Sequence, residues 1–305
     1  MTEYDTSEPL ITVIIPTLCN LERKDQLLWA IESIKNQGGV KTEIHIIVNG
    51  SVFDTKLYDE LRSDYELSVF HITEASLPAA IRYGRSTVKT PYFSFLDDDD
   101  VYVANTLSKR LSPLLEDNEL SFTVVNGEFC RSDSSYLLFE NIDELGKDPF
   151  TSLMKNNWLA SCGGVYRTKD IGLGFFDGKT KYFEWTYLAF LLCLERKKNI
   201  FIDIVGFKVH DTEGSISKTD EYVVNYQLFV EMLLQFEVPD NIRRLLNIKH
   251  VESLHNTSEY FMFKKENAKS WFYHLRCLMT LHGLRYVPFT RHLLKSSLLL
   301  FRDDK

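Results

Sequence analysis

"SLPAAIRYGRSTVKTPYFSFLDDDD", residues 76–100, carries the reading of the whole chain. "SLPAAIRYGRSTV" reads as a helix and "YFSFL" as a short buried strand. Asp97, Asp98, Asp99 and Asp100 follow the strand without a spacer. Four adjacent carboxylates repel one another, and each raises the pKa of its neighbours. Two readings fit such a run. One is a solvated acidic turn that ends a strand. The other is a site for a hard divalent cation, which prefers carboxylate oxygens. The surrounding sequence decides between them.

Upstream, "LITVIIP" (10–16) is a continuous β-branched run stopped by Pro16, the pattern of a strand buried on both faces. "DQLLWAIESIKNQ" spaces Leu27, Leu28, Ile31 and Ile34 as a helix does, and Gly38-Gly39 stops it. "TEIHIIVNGS" is a second buried strand ending at Asn49-Gly50. "DTKLYDELRSDY" is a second helix and "LSVFHIT" a third strand. The order β-α-β-α-β-α-β predicts an α/β fold with a parallel sheet flanked by helices. Such sheets bind ligands at the carboxyl ends of their strands. Pro16-Thr17, Asn49-Gly50 and the aspartates all stand at such ends.

Downstream, about 105–215 mixes strands ("LSFTVVNGEF", "NIFIDIVGFKVH") with helices such as "FEWTYLAFLLCLERKK". From about 220 the pattern is helical, through "YVVNYQLFVEMLLQF", "NIRRLLNIKHVESLH", "AKSWFYHLRCLMTLHGL" and "TRHLLKSSLLLF". A polar stretch near Thr219 separates a first domain, 1–219, from a C-terminal helical region, 220–305.

The chain has 305 residues, of which 44% are hydrophobic, and a net charge of −8. An acidic balance argues against a sequence-independent nucleic-acid binder. The charge is unevenly spread. Residues 264–305 hold nine Lys and Arg against three acids, a net +6, and the remainder carries −14. A basic tail on an acidic body suggests docking to an anionic membrane surface or an acidic partner. Capping of the first domain and homo-oligomer formation are equal alternatives. The five cysteines form no C-x-x-C pair, which points to reduced thiols in a cytoplasmic protein. The acidic N-terminus is unlike a signal peptide, and no apolar run reaches the roughly 20 residues of a membrane span.

Six pieces in this order resemble the inverting GT-A glycosyltransferases of family 2: "TVIIPTLCN", "IIVNGS", "SLPAAIRYGRSTVKTPYFSFLDDDD", "GGVYR", "GFFDGKTKYFEWTYL" and "VHDTEGSISK". The resemblance covers about 10–218. It implies a GT-A fold, with a mostly parallel sheet, and a nucleoside diphosphate sugar, UDP-linked, as donor; the C-terminal helical extension matches nothing in the family and is read from its own periodicity. Pro16 and Thr17 would hold base and ribose, although strand stop and helix cap explain them as well. "VNGS" departs from the family's acidic turn. Asn49, unlike Asp, both donates and accepts, and can still pair with uracil or thymine. Arg82 takes the family's Asn place, with Ile81 where Arg is usual; Arg82, in preference to Arg85, would pair with phosphate oxygens, and a solvated helix residue is the alternative for both.

In the same resemblance the acidic run matches "D-x-D-D". Asp97 and Asp98 would face the donor, and Asp99 would bind Mn²⁺ or Mg²⁺, with His210 as a further metal contact. The cation would neutralise the leaving nucleotide. Glu184, before Trp185, falls at the place of the catalytic base, where a helix-capping role is the alternative. Trp158 or Trp185 would stack on a sugar, Gly163 and Gly164 would let the acceptor approach backbone, and Ser215 and Lys218 would lie in a loop over the donor. The implied activity is transfer of a sugar, with inversion, to a hydroxyl of a saccharide or lipid-linked acceptor in cell-surface polysaccharide synthesis. The alternative is a catalytically silent nucleotide-sugar or polysaccharide binding protein of the same fold. A nucleotidyltransferase would need a Gly-rich loop after the first strand, and "PTLCNLERKD" has no glycine. A dehydrogenase would need G-x-G-x-x-G there.

Overall fold

The computed structural model describes residues 8–131, 133–211 and 221–303. Chain contacts divide into two compact units, Met1–Glu213 and Gly214–Lys305. The first unit opens with β1 (Ile11–Thr17), α1 (Lys24–Lys35), β2 (Thr42–Asn49), α2 (Thr55–Ser63), β3 (Leu67–Ile72), α3 (Leu77–Thr87) and β4 (Tyr92–Phe95). These four strands are parallel, in the spatial order β3-β2-β1-β4. All seven residues of β1 are buried, as its run of Ile and Val requires. β3, at the edge, is only half covered. Asp54 and Ser76 cap α2 and α3 by accepting from Leu57 N–H and Ala79 N–H.

After the acidic run come β5 (Val101–Tyr102), α4 (Thr106–Glu116), β6 (Phe122–Cys130), β7 (Ser135–Leu137), α5 (Ile142–Lys147), α6 (Pro149–Leu153), β8 (Gly164–Arg167), α7 (Glu184–Leu194) and β9 (Asn199–His210). The sheet runs β3-β2-β1-β4-β8-β6-β9-β5, with β7 beside β6. It is mixed rather than wholly parallel, because β8 enters antiparallel to both β4 and β6. Four residues led by a glycine are too short to show strand periodicity, so "GGVYR" gives no local sign of a central strand. α7 buries Tyr187 through Leu192 on every side. A helix that is apolar all round is a core element.

β1 lies between β2 and β4, and this is where the strand order reverses. β4 pairs with β1 only as far as Ile14–Phe95, whereas β2 continues to Thr17–Val48. Pro16, which has no N–H to give, therefore stands past the end of β4. The gap opened there is the switch-point crevice of an open α/β sheet, and the four aspartates lie in it. The same region needs α3 close to the sheet. A Cβ on Gly84 would sit 2.5 Å from Ile14 Cγ2 and 3.0 Å from an Ile47 carbon.

The second unit contains α8 (Glu221–Leu233), α9 (Asp240–Phe263), α10 (Asn267–Leu278), a 3₁₀ turn (Gly283–Phe289) and α11 (Thr290–Asp303). α9 runs well past the expected stretch that ended at His255. The polar "NTS" at 256–258 does not break it, because Ser258 and Ser270 exchange hydroxyl-to-carbonyl bonds of 2.8 and 2.6 Å between α9 and α10. Val251, Leu254 and Cys277 form its small core. Thr219, Ser215 and Lys218 lie outside the described residues. All five cysteines are free thiols, and no helix among the described residues is long and apolar enough to cross a membrane.

Replacing Gly84 with valine should lower stability by about 1–3 kcal/mol, the usual cost of overpacking. Urea unfolding of the variant, with an unchanged m value, checks this.

Candidate active site

The acidic run is buried rather than solvated. Asp98 and Asp100 are 6% and 3% exposed, which removes the surface-turn reading. Each side chain is met by donors from another part of the chain. Asp98 accepts from the Thr17 hydroxyl at 2.6 Å, from the end of β1. It also accepts from the Arg23 guanidinium at 2.8 Å, and Arg23 reaches Asp99 at 3.5 Å. Asp100 accepts from the His210 N–H at 3.1 Å and from the Cys162 thiol at 3.3 Å. Asp97 accepts from the Ser161 hydroxyl.

These donors do not neutralise the run. Burial lifts Asp97 to about 7, helped by the charges of Asp99, Asp98 and Glu184 and opposed by the Ser161 bond. Burial also raises Asp98, against the bonds from Thr17 and Arg23. Asp100 is held well above the carboxylate range by burial and by Asp97 and Asp99. Burial works against the charge on Arg23, but Asp98 and Asp99 outweigh it and keep the guanidinium charged.

This unmet negative charge fits a hard divalent cation. The donor atoms of Asp97, Asp100 and Cys162 lie within 4.8 Å of one another. Cys162 is an unsuitable third ligand. It is fully buried, its thiol is pushed well above the ordinary value by burial and by Asp100 and Asp97, and its proton is used on Asp100. The expected pair, Asp99 and His210, is brought together differently. His210 Nδ1 lies 2.9 Å from the Asp99 main-chain carbonyl. With Nδ1 donating to that oxygen, Nε2 carries the lone pair, the usual arrangement for a histidine that binds metal.

Glu184 opens α7 on the other side of the crevice. Its charge contributes to the rise of Asp97, so the two carboxylates are within electrostatic reach. Burial raises Glu184 as well, opposed by N–H bonds from its own backbone and from Tyr182, the latter 3.0 Å long. Glu184 thus accepts from N–H groups at the start of its helix and lies within electrostatic reach of Asp97. The backbone beside it is strained, with Tyr182 at φ 79°. Glu184 also lines a small cleft with Pro78, Ile81, Phe176, Asp177 and Thr180. A roomier concavity of about 410 Å³ lies between α1 and α2 around Trp29 and Leu57. Its Lys35 and Asp64 are paired with each other at 2.7 Å.

The other expected positions fall as follows. Asn49 is buried at the end of β2, and Gly50 after it turns at φ 105°. Arg82 ties α3 to a turn, donating to the carbonyls of Leu173 and Phe176 at 3.3 and 3.1 Å. Arg85 is buried on the carbonyls of Ile171 and Thr168, so it is a packing residue and not a phosphate ligand. Trp158 is fully buried with its Nε1–H on the Pro149 carbonyl, which corrects the expectation of sugar stacking. Trp185 packs against Phe95, ring centres 5.0 Å apart. Gly163 and Gly164 were expected beside the acceptor. Both are buried, and their carbonyls accept from Val125 N–H and the Ser94 hydroxyl. The strand pairing of β8 occupies the backbone that was expected to meet a ligand.

A model of glycosyl transferase family 2 matches residues 12–167, half of the chain. The chain belongs to glycosyl transferase family 2. It is a glycosyltransferase with the GT-A fold. An uncharacterized glycosyltransferase of Rickettsia typhi is 25% identical over 250 residues, covering 77% of this chain and 76% of that protein. The teichoic acid poly(glycerol phosphate) polymerase of Staphylococcus epidermidis is 27% identical over 206 residues. That match covers 64% of this chain but only 27% of the polymerase. The crystal structure of S. aureus TarS 1-349 with UDP-GlcNAc is similar in fold, with a TM-score of 0.61, 12% identity, and coverage of 88% of this chain and 80% of that one.

Sequence reasoning about this family 2 chain missed Arg23, Ser161 and Cys162. Arg23 ends a short 3₁₀ turn, Leu21–Arg23, capped by Asn20, so in sequence it looks like any solvated helix-start residue. The run of four acids was the available signal, since a buried acidic cluster needs cationic and hydroxyl partners. Arg23→Ala should destabilise the protein by about 2 kcal/mol, the scale of hydrogen bonds to a charged group. Adding Asp98→Asn should cost less than the sum of the single changes. A coupling energy of about 1 kcal/mol or more in a denaturation double-mutant cycle is the expected result.

Proposed function

We propose that this glycosyltransferase is a metal-dependent, inverting enzyme that takes a sugar from a UDP-linked donor. The observation that carries the reading is the half-buried carboxylate Glu184 within electrostatic reach of an under-neutralised acidic run at the sheet's switch point. The solved structure of TarS with UDP-GlcNAc supports the nucleotide class. The buried Asn49 offers both a donor and an acceptor to a uracil edge. Pro16 and Thr17 line the same end of the sheet.

Asp99, Asp97 and His210 would hold Mn²⁺ or Mg²⁺, with Asp98 kept on Thr17 and Arg23 as the counter-ion of the turn. The bound cation supplies Lewis-acid neutralisation of the leaving diphosphate. Glu184 takes the proton of the acceptor hydroxyl while the new bond forms. One base and no enzyme nucleophile give a single displacement with inversion at the sugar carbon. The acceptor is a hydroxyl of a saccharide or a lipid-linked saccharide, in cell-surface polysaccharide synthesis. The similarity to a teichoic acid polymerase supports that class. The first unit is the catalytic domain, and the protein works in the cytoplasm at the inner face of the cell membrane.

Calorimetric titration with UDP, dTDP, GDP and CMP, each with and without Mn²⁺, tests the donor site. UDP binding should need both Mn²⁺ and Asp99, and Asp99→Ala should weaken it at least about tenfold, a loss of roughly 1.4 kcal/mol. Failure of every nucleotide to bind a folded protein would sink the reading. Glu184→Gln should retain UDP binding and lose about 10²–10⁴-fold in turnover; unchanged turnover would remove Glu184 as the base. Because the base must be ionised and burial raises its pKa above 4.5, kcat/KM should fall as pH is lowered, starting above the range of an ordinary glutamate. A pH–rate profile checks the sign of that shift.

A further inference from the structure

The second unit carries an exposed apolar stripe that its own core does not use. Along α10, Ala268, Phe272, Leu275 and Met279 are exposed at intervals of four, three and four residues, which is one face of a helix. The opposite face buries Ser270, His274 and Cys277. Phe272 and Leu275 are 56% and 53% exposed, and Met279 is 87% exposed. The apolar run continues in the turn that follows, where Leu281 and Leu284 are 89% and 71% exposed. Large side chains this bare are uncommon on a soluble surface unless something covers them.

The charge around the stripe selects what covers it. Residues 264–297 contain seven Lys and Arg and a single acid, Glu266. The Arg276 guanidinium lies 5.6 Å from the centre of the exposed Phe272 ring and pairs with Glu231, while Lys269 pairs with Glu266 and Arg285 with Glu252. Arg291 and Lys295 are exposed on α11 beyond the turn. A second copy of this chain is a poor match, because a two-fold contact would set the same basic face against itself. An anionic bilayer satisfies both features together. Phe, Leu and Met sink below the headgroups while Lys and Arg stay at the phosphate level.

We propose that the α10 stripe and the turn after it form a peripheral docking surface for a membrane rich in anionic lipid. Met279 and Leu281 are the most exposed insertion points. Its use rests on the reading of the acceptor as lipid-linked, but its binding does not. Vesicle binding needs no donor, cation or turnover, so either reading can fail without the other.

The test is co-sedimentation of the full chain with vesicles of phosphatidylcholine alone and of phosphatidylcholine mixed with phosphatidylglycerol, at low and high salt. Binding should be at least about tenfold tighter on the mixed vesicles and should weaken at high salt. The pair Met279→Asp and Leu281→Asp should reduce binding about tenfold or more, and so should Arg291→Glu with Lys295→Glu. Tyr65→Asp, at a site 95% exposed in the first unit, should leave it unchanged. Helical circular dichroism and a cooperative urea unfolding transition like that of the wild type show that the variants are folded. Equal binding to neutral and anionic vesicles would overturn the proposal. So would wild-type binding by the folded variants, or a solution dimer in sedimentation velocity that the Met279 and Leu281 changes dissociate.

Discussion

Four consecutive carboxylates at the end of β4, two of them buried and two half-buried, are the constraint on which the rest of the first unit turns. Removing an ion from water costs several kcal/mol, and each hydrogen bond to a charged group returns about 1.5–3. The chain brings in Thr17 from the end of β1, Arg23 from the start of α1, Ser161 and Cys162 from before β8, and His210 from the end of β9. These bonds do not balance the charge, since Asp97, Asp98 and Asp100 all remain raised. A fold that assembles so many donors and still leaves negative charge unmet is suited to a positive ligand. The mixed sheet follows from the same need, because Ser161 and Cys162 reach the aspartates only when β8 runs between β4 and β6.

Precision at Glu184 has a different source. α7 is apolar on all sides and locked into the core, so its first residue is held by packing that no surface contact can disturb. The left-handed backbone at Tyr182 turns that residue's N–H onto the Glu184 carboxylate. Strain of this kind persists only where the surrounding structure fixes it. Arg82 shows the contrast: it is exposed and engaged with the carbonyls of a turn.

The two units use polar residues in opposite ways. In the first, buried charge collects at one crevice. In the second, small hydroxyls let helices approach, as between Ser258 and Ser270, while large apolar side chains are left outside. The family match ends at residue 167, so the surface of the second unit is described by its own chemistry.

The order of strands and helices from β1 to β4 was legible in the sequence because unbroken β-branched runs and helical spacing are local signals. The acidic run was legible too, as unusual charge next to an apolar segment, whereas Glu184 was singled out only through the family resemblance. β8 was not, since four residues carry no period, nor were the buried fates of Trp158, Gly163 and Gly164, which depend on what packs over them. Arg23 and Cys162 became site residues only when strands far apart in the chain met. Side-chain chemistry, written along the chain, sets which residues repel one another and which avoid water. The tertiary structure alone decided which partners answer them, because hydrogen bonds and charge act over a few ångströms of space and not along the chain.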